Sequence, residues 1–344
     1  KLVYAYFTYT TLMMIYTVIN VPYGALMGVM TSKSEERTVL AAYRFVGANA
    51  GIFAVTLMLP YLIKTIGRGD VQFGYAGAMI IIALLAGGLF YFTFKTCQER
   101  VKQVEQKQES IREELKQLAR NGPWLMVIAI SILTVMGQAI RATTTLHYFK
   151  YNVGNEAWGT TLLLYNSVMA VIAVLLSKSI CNLIGCKRRA YVILNLLFAG
   201  LLVWFYFIPV TSFPLMLANQ LLIALVAAPM MPLFRSMIAD TADYGAVKFG
   251  HRSTGVIFSA GTASQKIGWT VGPAVALVFL GGAGYVANAE QTPATLNILR
   301  LEMSLIPAVF AVITAIVTCF YQIDHKMERE LEAAISQQTA AAKA

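Results

Sequence analysis

The sequence predicts an all-α polytopic membrane protein. The chain of 344 residues is 58% hydrophobic and only 13% charged, and its mean hydropathy is +0.63. A soluble domain typically carries about 25% charged residues, and its apolar residues alternate with polar ones. Here they form runs of the length that crosses a bilayer, about 20 residues. These runs lie at approximately 2–31, 39–63, 74–94, 123–146, 158–177, 190–209, 213–237, 254–280 and 301–321.

The basic residues indicate how these spans are oriented. Most of the 27 Lys and Arg residues lie in every second connection and in the tail, whereas Lys64, Arg68, Arg141, Lys150 and Arg300 are assigned to the opposite side. The positive-inside rule then makes the first span run inward and places the C-terminus in the cytoplasm. Orientation therefore explains the net charge of +10, and we predict no nucleic-acid partner.

A polar stretch, 95–122, divides three spans from six. Its apolar residues recur near one face, which predicts an amphipathic cytoplasmic helix. The predicted organisation is an incomplete helical half (1–94), this linker (95–122), a six-helix half (123–322) and a cytoplasmic tail (323–344). Transporters commonly consist of two six-span halves, so we expect three further spans before Lys1. An independent nine-span protein is the alternative.

Two cations at membrane depth are the first candidates for function, because ionisable groups there are costly. Arg44 lies early in the second span and Lys266 in the middle of the eighth. Thr262, Gln265 and Trp269 follow a spacing that places them on the face of Lys266. We expect no Asp or Glu in mid-span, with Glu302 at the entrance of the ninth span.

The first span also carries polar and aromatic side chains, namely Tyr16, Thr17, Asn20 and Tyr23. Hydroxyls, amides, rings and a cation in an apolar bundle suit a sugar, which offers hydroxyls to hydrogen-bond and a C–H face for stacking. Hydrogen bonds between membrane helices are an equally good interpretation of any single residue. Three GxxxG pairs are interpreted as helix packing: Gly24 with Gly28, Gly47 with Gly51, and Gly268 with Gly272.

No motif predicts an enzyme or a metal site. The sequence contains no HExxH, GxSxG or Walker-type run. Cys181 and Cys186 lack the further Cys or His ligands that a structural zinc site requires. We therefore expect neither an enzyme nor a cofactor.

Three runs together resemble the glycoside-pentoside-hexuronide:cation symporters, the melibiose permease group of the major facilitator superfamily. Tyr16 to Leu26, with Glu36-Arg37-Thr38 and Arg44-Phe-Val, resembles the fourth and fifth helices of that family. Ala239 to Gly245, with Arg252 to Ser259 and Lys266, resembles its signature between helices ten and eleven. Arg141 with His147 to Tyr151 resembles the end of its helix seven. The resemblance implies a major facilitator fold with about nine of twelve helices present.

The resemblance also implies roles for individual residues. Sugar-binding positions are Tyr16, Asn20, Arg44, Thr262 and Lys266, and Gln265 shares the face of the last two. Thr17 matches a position near the cation site. The cluster that closes the cytoplasmic side is matched by Arg37, Asp240, Asp243 and Arg252. Asn20, Gly24 and Met231 depart from melibiose permease, which has an acid, an aromatic residue and a stacking Trp there, so the departures disfavour melibiose itself.

The expected function is symport of a glycoside, pentoside or hexuronide with Na⁺ or H⁺, by alternating access. We expect a monomeric multi-pass protein of the bacterial inner membrane. Two alternatives stay open at this point: a fragment without transport activity of its own, and a membrane-embedded enzyme.

Overall fold

The computed structural model describes residues 2–30, 34–97, 118–175, 186–249, 254–324, 326–327, 330–331 and 334. Helices make up most of these residues, and none of them lies in a strand. Two compact units divide the chain, Lys1–Gln108 and Glu109–Ala344. The predicted all-α fold class is thus confirmed, whereas the amphipathic linker helix falls largely on 98–117, outside the described residues.

The first unit contains three long helices, α1 (Leu2–Met30), α2 (Ser34–Gly67) and α3 (Val71–Thr96). A tight turn joins α2 to α3 through Arg68 and Gly69, whose φ angles of 44° and 110° are left-handed. Asp70 then caps α3, because its side chain accepts hydrogen bonds from the backbone N–H groups of Gln72 and Phe73. A Cβ on Gly74 would lie 2.5 Å from the Ile63 carbonyl oxygen, so glycine permits the close approach of these two helices.

The second unit is a larger helical bundle. It comprises α4 (Gly122–Tyr148), which continues into a π-helical turn (Phe149–Val153), α5 (Glu156–Leu175), α6 (Lys187–Phe207), α7 (Phe213–Ala227), α8 (Met230–Phe249), α9 (Thr254–Gly282), α10 (Pro293–Met303) and α11 (Leu305–Cys319). Within this unit, α4 packs along α9, α10 and α11, while α6 packs along α11. The helix α4 is therefore the centre of the bundle.

Two of the predicted single spans are broken helices. Ala228 and Pro229 separate α7 from α8, and Ser304, with φ −133° and ψ −84°, separates α10 from α11. The last span also begins at Pro293 rather than near residue 301. Proline lacks the backbone N–H that would continue the helical hydrogen bonding, so Pro229 and Pro307 account for an irregular backbone near these points.

Each of the nine predicted spans coincides with a helix, or with a pair of helices, in the part of the chain described. Within that part, six helical segments are long and apolar enough to cross a membrane: Val46–Gly67, Val71–Thr96, Gly122–Val153, Lys187–Phe207, Phe213–Phe249 and Pro293–Cys319. The total number of spans stays a prediction.

Candidate substrate-binding site

The helix α9 has one packed face and one open face. On the packed face, a Cβ at Gly268 would lie 2.7 Å from the Val135 Cβ atom, and one at Gly272 would lie 2.8 Å from the Ala139 Cβ atom. The Ser264 hydroxyl donates to the Ser131 hydroxyl of α4 at 2.9 Å. The predicted packing role of this GxxxG pair is thus confirmed.

The pair Gly47 and Gly51 in the first unit differs, since none of the residues that the structure describes lies within 4 Å of a Cβ built on either glycine. The surroundings of Gly24 and Gly28 lie outside them, so the packing interpretation of these two pairs stays a prediction.

Thr262, Lys266 and Trp269 lie on the open face of α9, where all three are exposed. The Thr262 hydroxyl is bonded to its own helix, at the Phe258 carbonyl. Lys266 makes no side-chain hydrogen bond or ion pair within the part of the chain that the structure describes. A hydroxyl, an ammonium group and an indole ring therefore form one stripe, here called the Lys266 stripe.

Gln265 turns from this stripe towards the neighbouring helix α8. Its amide nitrogen lies 3.4 Å from the Met231 sulfur, and the Arg235 guanidinium donates to its amide oxygen over a long 3.5 Å. Arg235 itself lies in α8, within a candidate span. This side chain adds a second cation beside the Lys266 stripe.

In the first unit, Arg44 of α2 meets α1 through an aromatic ring. Its guanidinium carbon lies 4.5 Å from the centre of the Tyr23 ring, a cation–π contact. Tyr16 is exposed, and the Thr17 hydroxyl donates to the Met13 carbonyl of its own helix at 2.8 Å. The side chain of Asn20 lies outside the described residues. The structure thus brings α1 and α2 together at Arg44.

The predicted cytoplasmic cluster is represented in the second unit by two acids. The Lys187 ammonium donates to both carboxylate oxygens of Asp240, at 2.8 and 2.9 Å, and so joins α6 to α8. Asp243 is partly buried one turn further along α8. The side chains of Arg37 and Arg252 are among those the structure does not describe. Lys187 is a partner that the sequence did not single out.

At the C-terminal end of α4, the segment from His147 to Tyr151 contacts the loop between α9 and α10. The His147 and Tyr285 rings meet edge to face, and the Tyr151 and Tyr285 hydroxyls lie 3.4 Å apart. Lys150 donates to the Asn288 side chain at 2.8 Å. Burial, together with the hydrogen bond to Tyr151, raises the pKa of Tyr285 to about 12. Ring contacts and hydrogen bonds therefore hold this end of α4 against the loop.

Two charged residues prove to be more deeply placed than expected. Arg141 was predicted on the outer side and Glu302 at a span entrance, but their exposed fractions are 8% and 0%. Both lie inside candidate spans, Gly122–Val153 and Pro293–Cys319. Glu302 is thus a buried acid inside a candidate span, rather than an acid at its entrance.

A bundle of long, mostly apolar helices, with an exposed cation in the middle of one helix, is typical of a polytopic membrane transporter. Comparison with known proteins identifies the family to which the chain belongs. Residues 1–325 match the family described as MFS/sugar transport protein, and the chain belongs to this family.

Relatives agree with that assignment. The isoprimeverose transporter of Lactiplantibacillus pentosus is 30% identical over 99% of this chain and 72% of its own length. The inner membrane symporter YicJ of Escherichia coli is 29% identical over 93% of this chain and 70% of its own length. The glucuronide carrier protein homolog of Escherichia coli is 26% identical over 96% of this chain and 72% of its own length.

These matches confirm the resemblance to the glycoside-pentoside-hexuronide:cation symporters. The protein is a multi-pass membrane sugar transporter of a cation-symporter family, not an enzyme.

Proposed function

We propose that this protein carries a glycoside, pentoside or hexuronide across the bacterial inner membrane together with Na⁺ or H⁺. The observation that carries the proposal is the Lys266 stripe. An ammonium group without an internal partner, in the middle of an apolar helix, is stable only where water or a polar solute reaches it. A sugar hydroxyl or a uronate meets that requirement, and the Trp269 ring beside it offers an apolar face for stacking.

The proposed site has contributions from both halves of the chain. Thr262, Gln265 and Lys266 are assigned to the sugar in one half, and Tyr16, Asn20 and Arg44 in the other, with Thr17 close to the coupling cation. Arg37, Asp240, Asp243 and Arg252 are assigned to closure of the cytoplasmic side. The domain limits predicted from the sequence, the cytoplasmic C-terminus and the monomeric state belong to the same proposal.

The names of the relatives favour small glycosides. One relative carries the name of an isoprimeverose transporter and another that of a glucuronide carrier homolog. A neutral disaccharide and a uronate would use the Lys266 ammonium differently, as a hydrogen-bond donor in the first case and as a counter-charge in the second.

The test is uptake of radiolabelled sugars by proteoliposomes that contain the native gene product. The panel comprises a neutral glycoside, a pentoside and a glucuronide, each tested with a sodium gradient, a proton gradient and no gradient. Gradient-driven accumulation of one sugar is expected, and it identifies both the substrate class and the ion. If no sugar accumulates under either gradient, the proposal is wrong.

A further inference from the structure

The carboxyl group of Glu302 is enclosed by protein inside the last span. The residue lies at the end of α10 with an exposed fraction of 0%. Its Oε2 atom is 2.7 Å from the Thr144 hydroxyl of α4, while Oε1 is buried with no hydrogen-bond partner among the described residues. An unpaired buried polar atom in a native protein requires a physical explanation.

Arg141 of α4 is the candidate counter-charge, but its guanidinium is bonded elsewhere. Its Nε atom donates to the Met303 carbonyl at 3.1 Å, and its Nη2 atom donates to the Gln220 amide oxygen at 2.7 Å. Pro307 has no N–H to offer the Met303 carbonyl, which is therefore free to accept from the guanidinium. No ion pair between Arg141 and Glu302 occurs in the part of the chain described.

The number of hydrogens available at Thr144 indicates which protonation state of the Glu302 carboxyl group fits the geometry. Its hydroxyl oxygen lies 3.0 Å from the Ile140 carbonyl and 2.7 Å from Glu302 Oε2. A threonine hydroxyl has one hydrogen, so it cannot donate to two acceptors at full strength. If Glu302 is protonated on Oε2, it donates to Thr144, and Thr144 donates to Ile140. Both short contacts are then hydrogen bonds.

Energetics favour the same state. A buried ion without a partner costs several kcal/mol, whereas an unpaired neutral acceptor costs about 1–3 kcal/mol. With a protonated carboxyl, Oε1 becomes an ordinary carbonyl oxygen, and its lack of a partner is the smaller cost.

We propose that Glu302 is a proton-binding site of this transporter, which carries its proton on Oε2 in the conformation seen here. Motion at the α10–α11 break would admit water, and the carboxyl group then releases its proton to that water. The resulting carboxylate lies on the side of α4 that carries the Arg141 guanidinium. No electron is transferred and no other bond changes. The role in sugar transport rests on the proposed symport, whereas the protonation itself does not.

The surroundings suit a proton better than a metal cation. Carriers with interrupted helices commonly use the free carbonyls at the break to coordinate Na⁺. Here Arg141 already donates to the Met303 carbonyl, and a guanidinium would repel a second cation at that point.

Other titratable or charged groups come from every element packed against α10. On the described residues these are Arg141, His147 and Tyr148 of α4, Lys150 and Tyr151 of the π-helical turn, Lys187, Arg188, Arg189, Tyr191 and Tyr206 of α6, Lys266 of α9 and Cys319 of α11. Arg300 of α10 itself donates to the Tyr206 carbonyl. Of these groups, Arg141 is the one whose described hydrogen bonds reach Met303, the residue next to Glu302 in the chain.

Infrared difference spectroscopy of the purified protein tests protonation directly. The native protein at neutral pH is expected to show the carbonyl stretch of a protonated carboxyl group, which Glu302→Gln removes. Glu290→Gln, which changes an exposed loop acid, is the matched control and leaves the band intact. A band that survives in Glu302→Gln, or that the native protein lacks, overturns the proposal.

A second variant covers the case in which Glu302→Gln does not fold. Thr144→Val removes the acceptor of the proposed Oε2–H bond, so the carbonyl stretch should shift in frequency, whereas Thr144→Ser should leave it near its original position. Equal bands in all three proteins contradict the assignment to Glu302.

Transport separates this proposal from the proposed function. Glu302→Gln can donate a hydrogen bond to Thr144 but cannot release a proton, so it should exchange sugar across proteoliposomes yet lose accumulation driven by a proton gradient. Undiminished accumulation overturns the role of Glu302 in coupling. A native protein that does not exchange sugar contradicts the proposed function instead, and the infrared result still decides whether Glu302 binds a proton.

Discussion

Two ionisable groups of the second unit, Lys266 and Glu302, have opposite surroundings. Lys266 lies on the open face of α9, whereas Glu302 is enclosed between α4 and the broken last span. An exposed charge can be solvated or can bind a solute, while an enclosed one must be paired or neutral. The difference favours solute binding at the first group, whereas the second is proposed to bind a proton.

The two sites share α4 as a common support. On one side its residues Ser131 and Val135 pack against α9 and so fix the orientation of the Lys266 stripe. Further along the same helix, Arg141 and Thr144 hold the end of α10. The helix α4 thus contacts both the proposed substrate site and the proposed proton site, and packed helices of this kind can carry energetic coupling between sites.

The largest expected effect concerns the exposed charge. Lys266→Ala should lower the affinity for the sugar about 10- to 150-fold, because a hydrogen bond to a charged group is worth about 1.5–3 kcal/mol, and initial uptake at low sugar concentration should fall accordingly. Initial rates in proteoliposomes measure the effect. Lys326→Ala, in the exposed tail, is the control and should transport normally. Normal uptake by Lys266→Ala would mean that the exposed face of α9 does not contact the sugar.

The hydropathy pattern predicted the surroundings of Lys266 correctly, but it did not predict that Glu302 is buried. Lys266 interrupts a long apolar run, and helical spacing then places Thr262 and Trp269 beside it, as the structure has them. Arg300 and Glu302 lie at the edge of an apolar run, so the span was predicted to begin near residue 301, with Glu302 at its entrance. Only tertiary contacts reveal that α10 continues outward to Pro293 and buries Glu302.

A second prediction tests the support of the enclosed site. Arg141→Met keeps most of the side-chain length but leaves the Met303 carbonyl and the Gln220 amide oxygen without their donor. Each unsatisfied buried acceptor costs about 1–3 kcal/mol, so the free energy of unfolding should fall markedly. Thermal unfolding in detergent measures it, with the exposed Arg120→Met as control. An unchanged melting temperature would show that Arg141 does not stabilise the helix break.

Partners across the bundle were the least predictable feature. The motif around Asp240 and Asp243 identified both acids, yet Lys187, which pairs with Asp240, lies on a different helix far along the chain. Spacing within a helix predicts which side chains share a face, but it contains no information about which face of another helix lies opposite. The same limit applies to the contact between Arg235 and Gln265.

The smallest expected effect concerns the Lys187–Asp240 pair. Its side chains are 25% and 14% exposed, so the pair is less exposed than Lys266 and less buried than Glu302. Ion pairs near an aqueous surface contribute about 0–1 kcal/mol. Lys187→Ala should therefore change the initial uptake rate by no more than about fivefold, with Arg189→Ala, exposed on the same turn, as control. A closing cluster must break and re-form in each transport cycle, and a weak pair allows this at low cost. Complete loss of uptake in a folded Lys187→Ala protein would place this pair with the enclosed charges, as a fixed support of the bundle rather than a reversible closure.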